Sequence, residues 1–267
     1  MHHSVFMRRY LCLRYSLMLG MMTLFGCSQS EPSVESANET SHQKQQVILV
    51  HGLARSAASM EKMAQRISLH GYQVCVVDYP TLGQDIEQTL QRSALQIDHC
   101  VYQFDRQLSD RAGSKIHFVG HSLGGLVIRD YLAKKPAMTY SPHFGEVVFV
   151  GTPNQGSDVA DFFSSVWLLP LAGGTAASLT TGPKSLPNRL PKPSYPFGVI
   201  AGTNSYPILK HMFKESNDGL VSVESTQLEG MQDFITVDVK HDRLRSDPQV
   251  TDLILRYLSE QRFTLTL

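Results

Sequence analysis

The chain has 267 residues, of which 42% are hydrophobic and 18% are charged. A chain of this size and composition can bury one large core, which predicts a single α/β domain. Its 24 basic residues balance its 24 acidic residues, so no overall field favours DNA, RNA or an anionic membrane surface. Nucleic acid is therefore not an expected partner.

The amino-terminal segment differs from the rest of the chain. Three arginines precede an apolar stretch at 17–25, which ends at Gly26 and Cys27. This order predicts an export signal over residues 1–26, and the apolar run is too short for a transmembrane helix. Residues 27–45 are rich in polar side chains and predict a flexible tether.

The end of the export signal, Leu24-Phe25-Gly26-Cys27, resembles a bacterial lipobox. The resemblance implies that cleavage leaves Cys27 as an acylated amino terminus. We therefore expect an exported lipoprotein that is anchored to a membrane and faces the periplasm. Because Phe25 stands where a small residue is usual, a secreted protein without the anchor is the alternative.

Strands and helices alternate through the predicted domain at 46–267. Apolar, β-branched runs predict strands at 46–50, 73–78, 115–119, 146–150, 197–201 and 234–239. Apolar side chains at helical spacing predict helices at about 60–67, 86–108, 123–134 and 250–258. This alternation predicts an α/β fold with a mostly parallel sheet and helices on both faces.

Residues 154–196 are rich in Pro, Gly, Ser and Thr and predict a cap or lid insertion. A surface insertion with one small hydrophobic anchor is the alternative. Four of its side chains are candidates either for a substrate pocket or for burying the cap, and these are Phe162, Phe163, Trp167 and Leu168.

Two cysteines fall within the predicted domain, Cys75 in a strand and Cys100 in a helix. An exported protein permits a disulfide between them. Because the sequence gives no distance between their Cα atoms, two separate buried thiols are the slightly favoured interpretation. Neither cysteine has the spacing of a metal ligand, and no metal or cofactor is expected.

The sharpest motif is the pentapeptide GHSLG at 120–124, which directly follows a predicted strand and directly precedes a predicted helix. A serine on such a tight turn is forced out of the surface, and this is the context of a nucleophile elbow. Glycines are needed on both sides, because a Cβ there would collide with the neighbouring strand and helix. The motif predicts Ser122 as a nucleophile.

A nucleophilic serine needs a base and an acid that orients the base. His241 follows the last predicted strand and would lie at the same edge of a parallel sheet as Ser122. Asp218 lies in the polar turn NDG between serine and histidine in chain order. The remaining candidates for the two roles are His211, Asp242 and Glu224.

A tetrahedral intermediate also needs two donors for its negatively charged oxygen. The backbone N–H of Leu123 follows the nucleophile at the start of a helix, where the helix dipole favours negative charge. The segment His51-Gly52-Leu53 follows the first strand, so the N–H of Leu53 is the second expected donor.

Taken together, HGL at 51–53, GHSLGG at 120–125, GTPNQGS at 151–157, NDGLV at 217–221 and His241 resemble the bacterial triacylglycerol lipase and esterase branch of the α/β-hydrolases. The resemblance implies hydrolysis of acyl-ester or lipid substrates through an acyl-enzyme, with the aspartate of the NDG turn as the acid. The calcium site of some such lipases is not expected, since Asp242 and Asp247 match it poorly.

Two further functions remain open. An acyltransferase would use the same residues but pass the acyl group to a lipid or envelope acceptor instead of water. A binding protein without catalysis would use the fold alone.

Overall fold

The computed structural model describes residues 45–107, 113–157, 159–160, 174–207, 213 and 215–264. The described residues contain a six-stranded sheet in the order β2-β1-β3-β4-β5-β6, with every neighbouring pair parallel. The strands are β1 Gln45–Val50, β2 Gln73–Val77, β3 Lys115–His121, β4 Phe144–Val150, β5 Phe197–Gly202 and β6 Asp233–Val237. The predicted α/β fold class is confirmed.

Four longer helices correspond to the four predicted ones. They are α1 Glu61–Leu69, α2 Ile86–Gln107, α3 Leu123–Lys134 and α9 Pro248–Glu260. A 3₁₀ turn at Ala57–Met60 precedes α1. One-turn helices lie between the longer elements, and they are α4 Pro136–Thr139, α5 Gly174–Ala177, α6 Leu186–Arg189, α7 Val223–Thr226 and α8 His241–Leu244.

Helices cover both faces of the sheet. Alternate residues of a strand point to opposite faces, so Ile48 packs with α2 and α3 while Val47 and Leu49 pack with α1 and α9. All three side chains are completely buried. This two-sided burial is why the last four residues of β1, at 47–50, are all aliphatic. Among the described residues, no helix is both long and apolar enough to cross a bilayer.

The chain adds β2 on one side of β1 and then adds β3 on the other side, so the strand order switches sides at β1. Val50, the last residue of β1, lies opposite Gly120 of β3. In a parallel sheet, the loops that follow two such strands diverge and leave a crevice at the carboxyl edge. The loop after β1 therefore lies beside the turn that carries Ser122.

The edge strand β2 is joined to α2 by a disulfide between Cys75 and Cys100, whose Cα atoms are 5.9 Å apart. The slightly favoured sequence interpretation, two separate thiols, is therefore wrong in this structure. The sequence could not decide between them, because a disulfide depends on the separation of two Cα atoms in space.

Candidate active site

Ser122 is the single residue between the end of β3 and the start of α3. Its backbone has φ 56° and ψ −126°, a conformation that side-chain-bearing residues rarely adopt and that costs roughly 1–3 kcal/mol. Two backbone hydrogen bonds hold it there. The N–H of Ser122 donates to Val150 over 2.9 Å, and the N–H of Gly125 donates to Ser122 over 3.0 Å. The turn therefore has the strained geometry of a nucleophile elbow.

The glycines of the elbow are required by close backbone contacts. A Cβ on Gly120 would lie 2.5 Å from the nitrogen of Gly125, and a Cβ on Gly124 would lie 2.1 Å from the carbonyl oxygen of Val50. Real Cβ atoms do not approach other atoms this closely. The collision predicted from the motif is thus present, and it involves backbone atoms that cannot rotate away.

The three residues predicted for the triad lie together in the structure. Ser122 Oγ is 2.9 Å from His241 Nε2, although 119 positions separate them in the chain. His241 Nδ1 is 2.7 Å from Asp218 Oδ2. Asp218 is fully buried and His241 is 4% exposed. In this arrangement Ser122 can donate to the imidazole while Nδ1–H of His241 donates to the carboxylate.

The carboxylate of Asp218 is fixed by the NDG turn itself. Its Oδ1 accepts hydrogen bonds from the N–H of Leu220 over 3.0 Å and of Val221 over 2.8 Å. The N–H of His241 donates to the backbone oxygen of Asp218 over 3.0 Å. One carboxylate oxygen is therefore occupied by backbone donors, and the other is left facing the imidazole.

His241 begins the short helix α8. A second histidine holds this helix in place, since His121 Nε2 donates to the carbonyl oxygen of His241 over 2.9 Å. Burial, followed by the charge of His241, lowers the pKa of His121 well below its ordinary value of 6.5. His121 is thus a neutral donor, and its contact with His241 was not foreseen from the sequence.

The loop after β1 is built around His51, whose Nδ1 donates to Gly52 over 2.9 Å. The ring of Tyr79 stacks on His51 with centroids 4.3 Å apart, and the Tyr79 hydroxyl donates to the His51 carbonyl over 2.6 Å. Burial lowers the pKa of His51. The side chain of His51 therefore holds the loop after β1 in place.

The residues that carry the two expected oxyanion donors are Leu123, directly after the nucleophile, and Leu53, in the loop after β1. Leu123 is the first residue of α3, so its N–H has no acceptor within the helix. Leu53 lines the cleft together with Ser122. Gly52, which precedes Leu53, lies close to Ser122, because a Cβ built on Gly52 would be 2.9 Å from the Cβ of Ser122.

A cleft of about 410 Å³ opens over Ser122 and His241. Six aliphatic side chains that line the cleft are here called the apolar wall, and they are Val159, Ala160, Ala176, Leu179, Leu220 and Val221. The sequence pointed to the first four only through their place in the predicted cap at 154–196. The four pocket residues named from the sequence, Phe162, Phe163, Trp167 and Leu168, lie outside the described residues, as does Cys27.

The other candidates for acid and base are placed differently. The carboxylate of Asp242 accepts a hydrogen bond from the Tyr206 hydroxyl and lies 3.7 Å from Arg243 Nε. Glu224 lies in α7, and His211 lies outside the described residues. Within the described parts of the chain, no group of three or more His, Cys, Asp or Glu side chains is arranged to hold a metal ion.

Comparisons with known proteins agree with this architecture. A family model described as the alpha/beta hydrolase fold matches residues 46–175. A pimeloyl-[acyl-carrier protein] methyl ester esterase of Vibrio cholerae is 33% identical over 113 residues, which are 40% of this chain and 41% of that protein. A triacylglycerol lipase of Burkholderia plantarii is 27% identical over 162 residues, 55% of this chain and 41% of the lipase. The chain thus matches less than half the length of either curated relative.

The mature form of the Bacillus licheniformis lipase BlEst2 has a similar structure. Its TM-score is 0.61 at 21% identity, over 79% of this chain and 91% of that one. The protein therefore has the α/β-hydrolase fold. Within that fold it is lipase- and esterase-like, as the resemblance in its motifs indicated.

Proposed function

We propose that the protein is a serine carboxylic-ester hydrolase of the esterase or lipase type. The observation that carries the proposal is the hydrogen-bonded triad of Ser122, His241 and Asp218 beside the cleft. Ser122 Oγ is 2.9 Å from His241 Nε2, and His241 Nδ1 is 2.7 Å from Asp218 Oδ2. A serine hydroxyl is a weak nucleophile unless an adjacent base takes its proton, and this geometry supplies that base. The names of the esterase and lipase relatives support the same activity.

In the proposed reaction, Ser122 Oγ attacks the acyl carbonyl while His241 Nε2 takes the hydroxyl proton. The N–H groups of Leu53 and Leu123 stabilise the negative oxygen of the tetrahedral intermediate. His241 then protonates the departing alcohol, which leaves an acyl-enzyme. Water repeats the cycle and releases the carboxylic acid. Asp218 holds the tautomer of His241 and stabilises the imidazolium as it forms.

The acyl group is proposed to lie against the apolar wall. Its six side chains are aliphatic and come from the segments that follow β4 and β5. A cleft of about 410 Å³ is at the lower end of the range for sites that hold drug-sized ligands. We therefore expect an optimum at short to medium acyl chains.

The experiment is hydrolysis of p-nitrophenyl esters across acyl lengths by the full chain. We expect Ser122→Ala to lower kcat/KM by roughly 10⁴-fold or more and to abolish labelling by a fluorophosphonate. Asp218→Asn should lower kcat by about 10⁴-fold, because it stabilises the wrong tautomer of the base. Ser259→Ala on α9 is the matched control, since that hydroxyl is exposed and bonds only to its own helix.

Two outcomes would contradict the proposal. If the wild-type chain neither hydrolyses any ester nor reacts with the fluorophosphonate, the fold serves binding and not catalysis. If a primary alcohol added to the assay receives most of the acyl groups in water, the protein is the acyltransferase alternative.

We further propose that the protein is an exported lipoprotein acylated at Cys27. The Cys75–Cys100 disulfide supports export, because such crosslinks persist in oxidising compartments. Cells fed radiolabelled palmitate should label the wild-type chain in the membrane fraction, and Cys27→Ser should remove the label. Unlabelled wild-type protein in the medium would instead favour the secreted alternative.

A further inference from the structure

The helix α3 carries a buried arginine about two turns after the nucleophile. Arg129 is 3% exposed, and within the described residues it forms no ion pair with a carboxylate. Burial lowers the pKa of Arg129 to about 10, so its guanidinium is charged at neutral pH. A buried charge is costly unless it is hydrogen-bonded. The acceptors of Arg129 therefore show which segments its charge holds.

Arg129 donates to oxygens of two chain segments. Its Nη1 lies 3.3 Å from the backbone oxygen of Asn154 and 3.2 Å from Asn154 Oδ1. Its Nη2 lies 3.3–3.4 Å from three backbone oxygens, those of Pro187, Leu190 and Pro191. One planar group thus bridges the beginning and the end of the predicted cap at 154–196.

Both segments also form hydrogen bonds to residues 178–179, and Leu179 belongs to the apolar wall. The N–H of Ser157 donates to the backbone oxygen of Leu179 over 2.9 Å, and the N–H of Leu186 donates to that of Ser178 over 2.8 Å. Each of these donors lies within three residues of an acceptor of Arg129 along the chain. The position of Leu179 therefore depends on the segments that Arg129 joins.

The first segment packs tightly against the chain that follows Leu179. A Cβ on Gly156 would lie 2.4 Å from the backbone oxygen of Thr180, and Gly156 has a φ of 102° that side-chain-bearing residues rarely adopt. Asn154 is held from a second side, since its Nδ2 donates to the backbone oxygen of Thr226 over 2.8 Å. With so little free space, a shift at Asn154 would move the wall instead of being absorbed between them.

We infer that Arg129 is a positioning residue that holds the apolar wall in place and so sets which acyl chain lengths the enzyme prefers. Arg129 is not one of the described residues that line the cleft, so it acts through the wall and not on the substrate. The inference rests on the proposed function, since it assigns a determinant of specificity to the same site.

The experiment compares p-nitrophenyl hexanoate with p-nitrophenyl acetate, which share a leaving group and differ only in acyl length. The measured quantity is the ratio of kcat/KM for the hexanoate to kcat/KM for the acetate, both from one preparation of the full chain. Unfolded protein lowers both values equally, so the ratio does not depend on the folded fraction. The acetyl group has no methylene to place against the wall, whereas the hexanoyl chain has several.

We expect Arg129→Met to lower this ratio about tenfold, because each methylene that loses apolar contact costs a factor of roughly four and about two are affected. The value of kcat/KM for the acetate should stay within about threefold of the wild type, since Arg129 bonds to no member of the triad. Arg129→Lys should lower the ratio by only about threefold, because the charge remains while the planar fork that spans both segments is lost.

Arg66→Met is the matched control. Arg66 Nε and Nη2 donate to the carboxylate of Asp252 over 2.8 Å each, so this variant also removes an arginine that joins two segments, here α1 and α9. Those helices pack on the face of the sheet opposite α3. The ratio of the control should equal that of the wild type, whatever its stability.

Leu179→Ala gives the reference for a damaged wall, because it truncates a wall side chain directly. It should lower the same ratio. In the double variant Leu179→Ala/Arg129→Met, the fall should be smaller than the product of the two single falls, because both substitutions remove the same contact with the acyl chain. Effects that multiply independently would show that Arg129 does not act through the wall, and would overturn the inference.

An unchanged ratio in Arg129→Met also overturns the inference, while Ser122-dependent hydrolysis of the acetate leaves the proposed function standing. An equal fall in Arg66→Met overturns it too, since loss of stability would then explain the change. If Arg129→Met does not fold, Arg129→Lys decides by the same ratio. If the wild type cleaves neither ester, or if Ser122→Ala cleaves them equally well, the proposed function itself has failed.

Discussion

At the centre of the sheet, β1, β3 and α3 meet through backbone atoms, whereas at its edge β2 is joined to α2 by the Cys75–Cys100 disulfide. The central contact has no room for one methyl group, because Gly124 lies against the carbonyl of Val50. The edge contact is a covalent bond between two side chains. In both regions a helix is held against a strand, by close backbone packing at the centre and by a covalent bond at the edge.

This difference separates stability from chemistry. At the centre, the atoms that pack the elbow also position Ser122, so we expect a substitution there to change both folding and the proposed catalysis. At the edge, the crosslink is on β2, and none of its residues lines the cleft. A change there should alter the free energy of unfolding and leave turnover in place.

The largest effect is expected from breaking the central contact with Gly124→Ala. The new Cβ would lie 2.1 Å from the Val50 oxygen and would force β1 and α3 apart. We expect a loss of about 4 kcal/mol in the free energy of unfolding, measured by urea denaturation, together with loss of esterase activity. Gly182→Ala is the control, because the nearest atom to its Cβ would be 4.0 Å away. Equal stability of the two variants would contradict the packing argument.

The next effect is expected at the edge, from the Cys75→Ala/Cys100→Ala double variant. Losing a crosslink between residues 25 positions apart should cost about 3 kcal/mol of unfolding free energy, through the freedom regained by the unfolded chain. At 25 °C, kcat for p-nitrophenyl butanoate should stay within about twofold of the wild type, because the enzyme remains folded. Reductant should destabilise the wild type but not the double variant. A large loss of kcat would show that the edge and the centre are coupled.

The smallest effect is expected at the centre, from the buried imidazole of His121. The pKa of His121 is below 6.5 in the folded protein, so the unfolded state binds more protons as the pH falls below that value. Its contribution to stability is full above pH 6.5 and decreases by about 1 kcal/mol towards about pH 5.5. His121→Asn should flatten the fall in unfolding free energy over this range, whereas His99→Asn, on the exposed side of α2, should not.

The fold was predictable because its elements are encoded locally. The apolar runs of β1 and β4 indicate strands that are buried on both faces, and the apolar stripe of α2 indicates a helix that packs on a sheet. The predicted helix at 123–134 coincides with α3 as observed. The strand ends were less accurate, since β3 extends two residues beyond its prediction to His121, where hydrogen bonding to β4 continues.

The residue types of the site and their order could be read from the sequence alone, since Ser122 follows a strand, Asp218 lies in an NDG turn and His241 follows the last strand. The glycines on both sides of Ser122 and the order of serine, aspartate and histidine along the chain are both visible in the sequence. Which contacts these residues form depends on the folded structure. The disulfide and the hydrogen bond from His121 to His241 depend on distances between segments far apart in the chain. Such distances are set by how the helices pack on the sheet, and no local pattern encodes them.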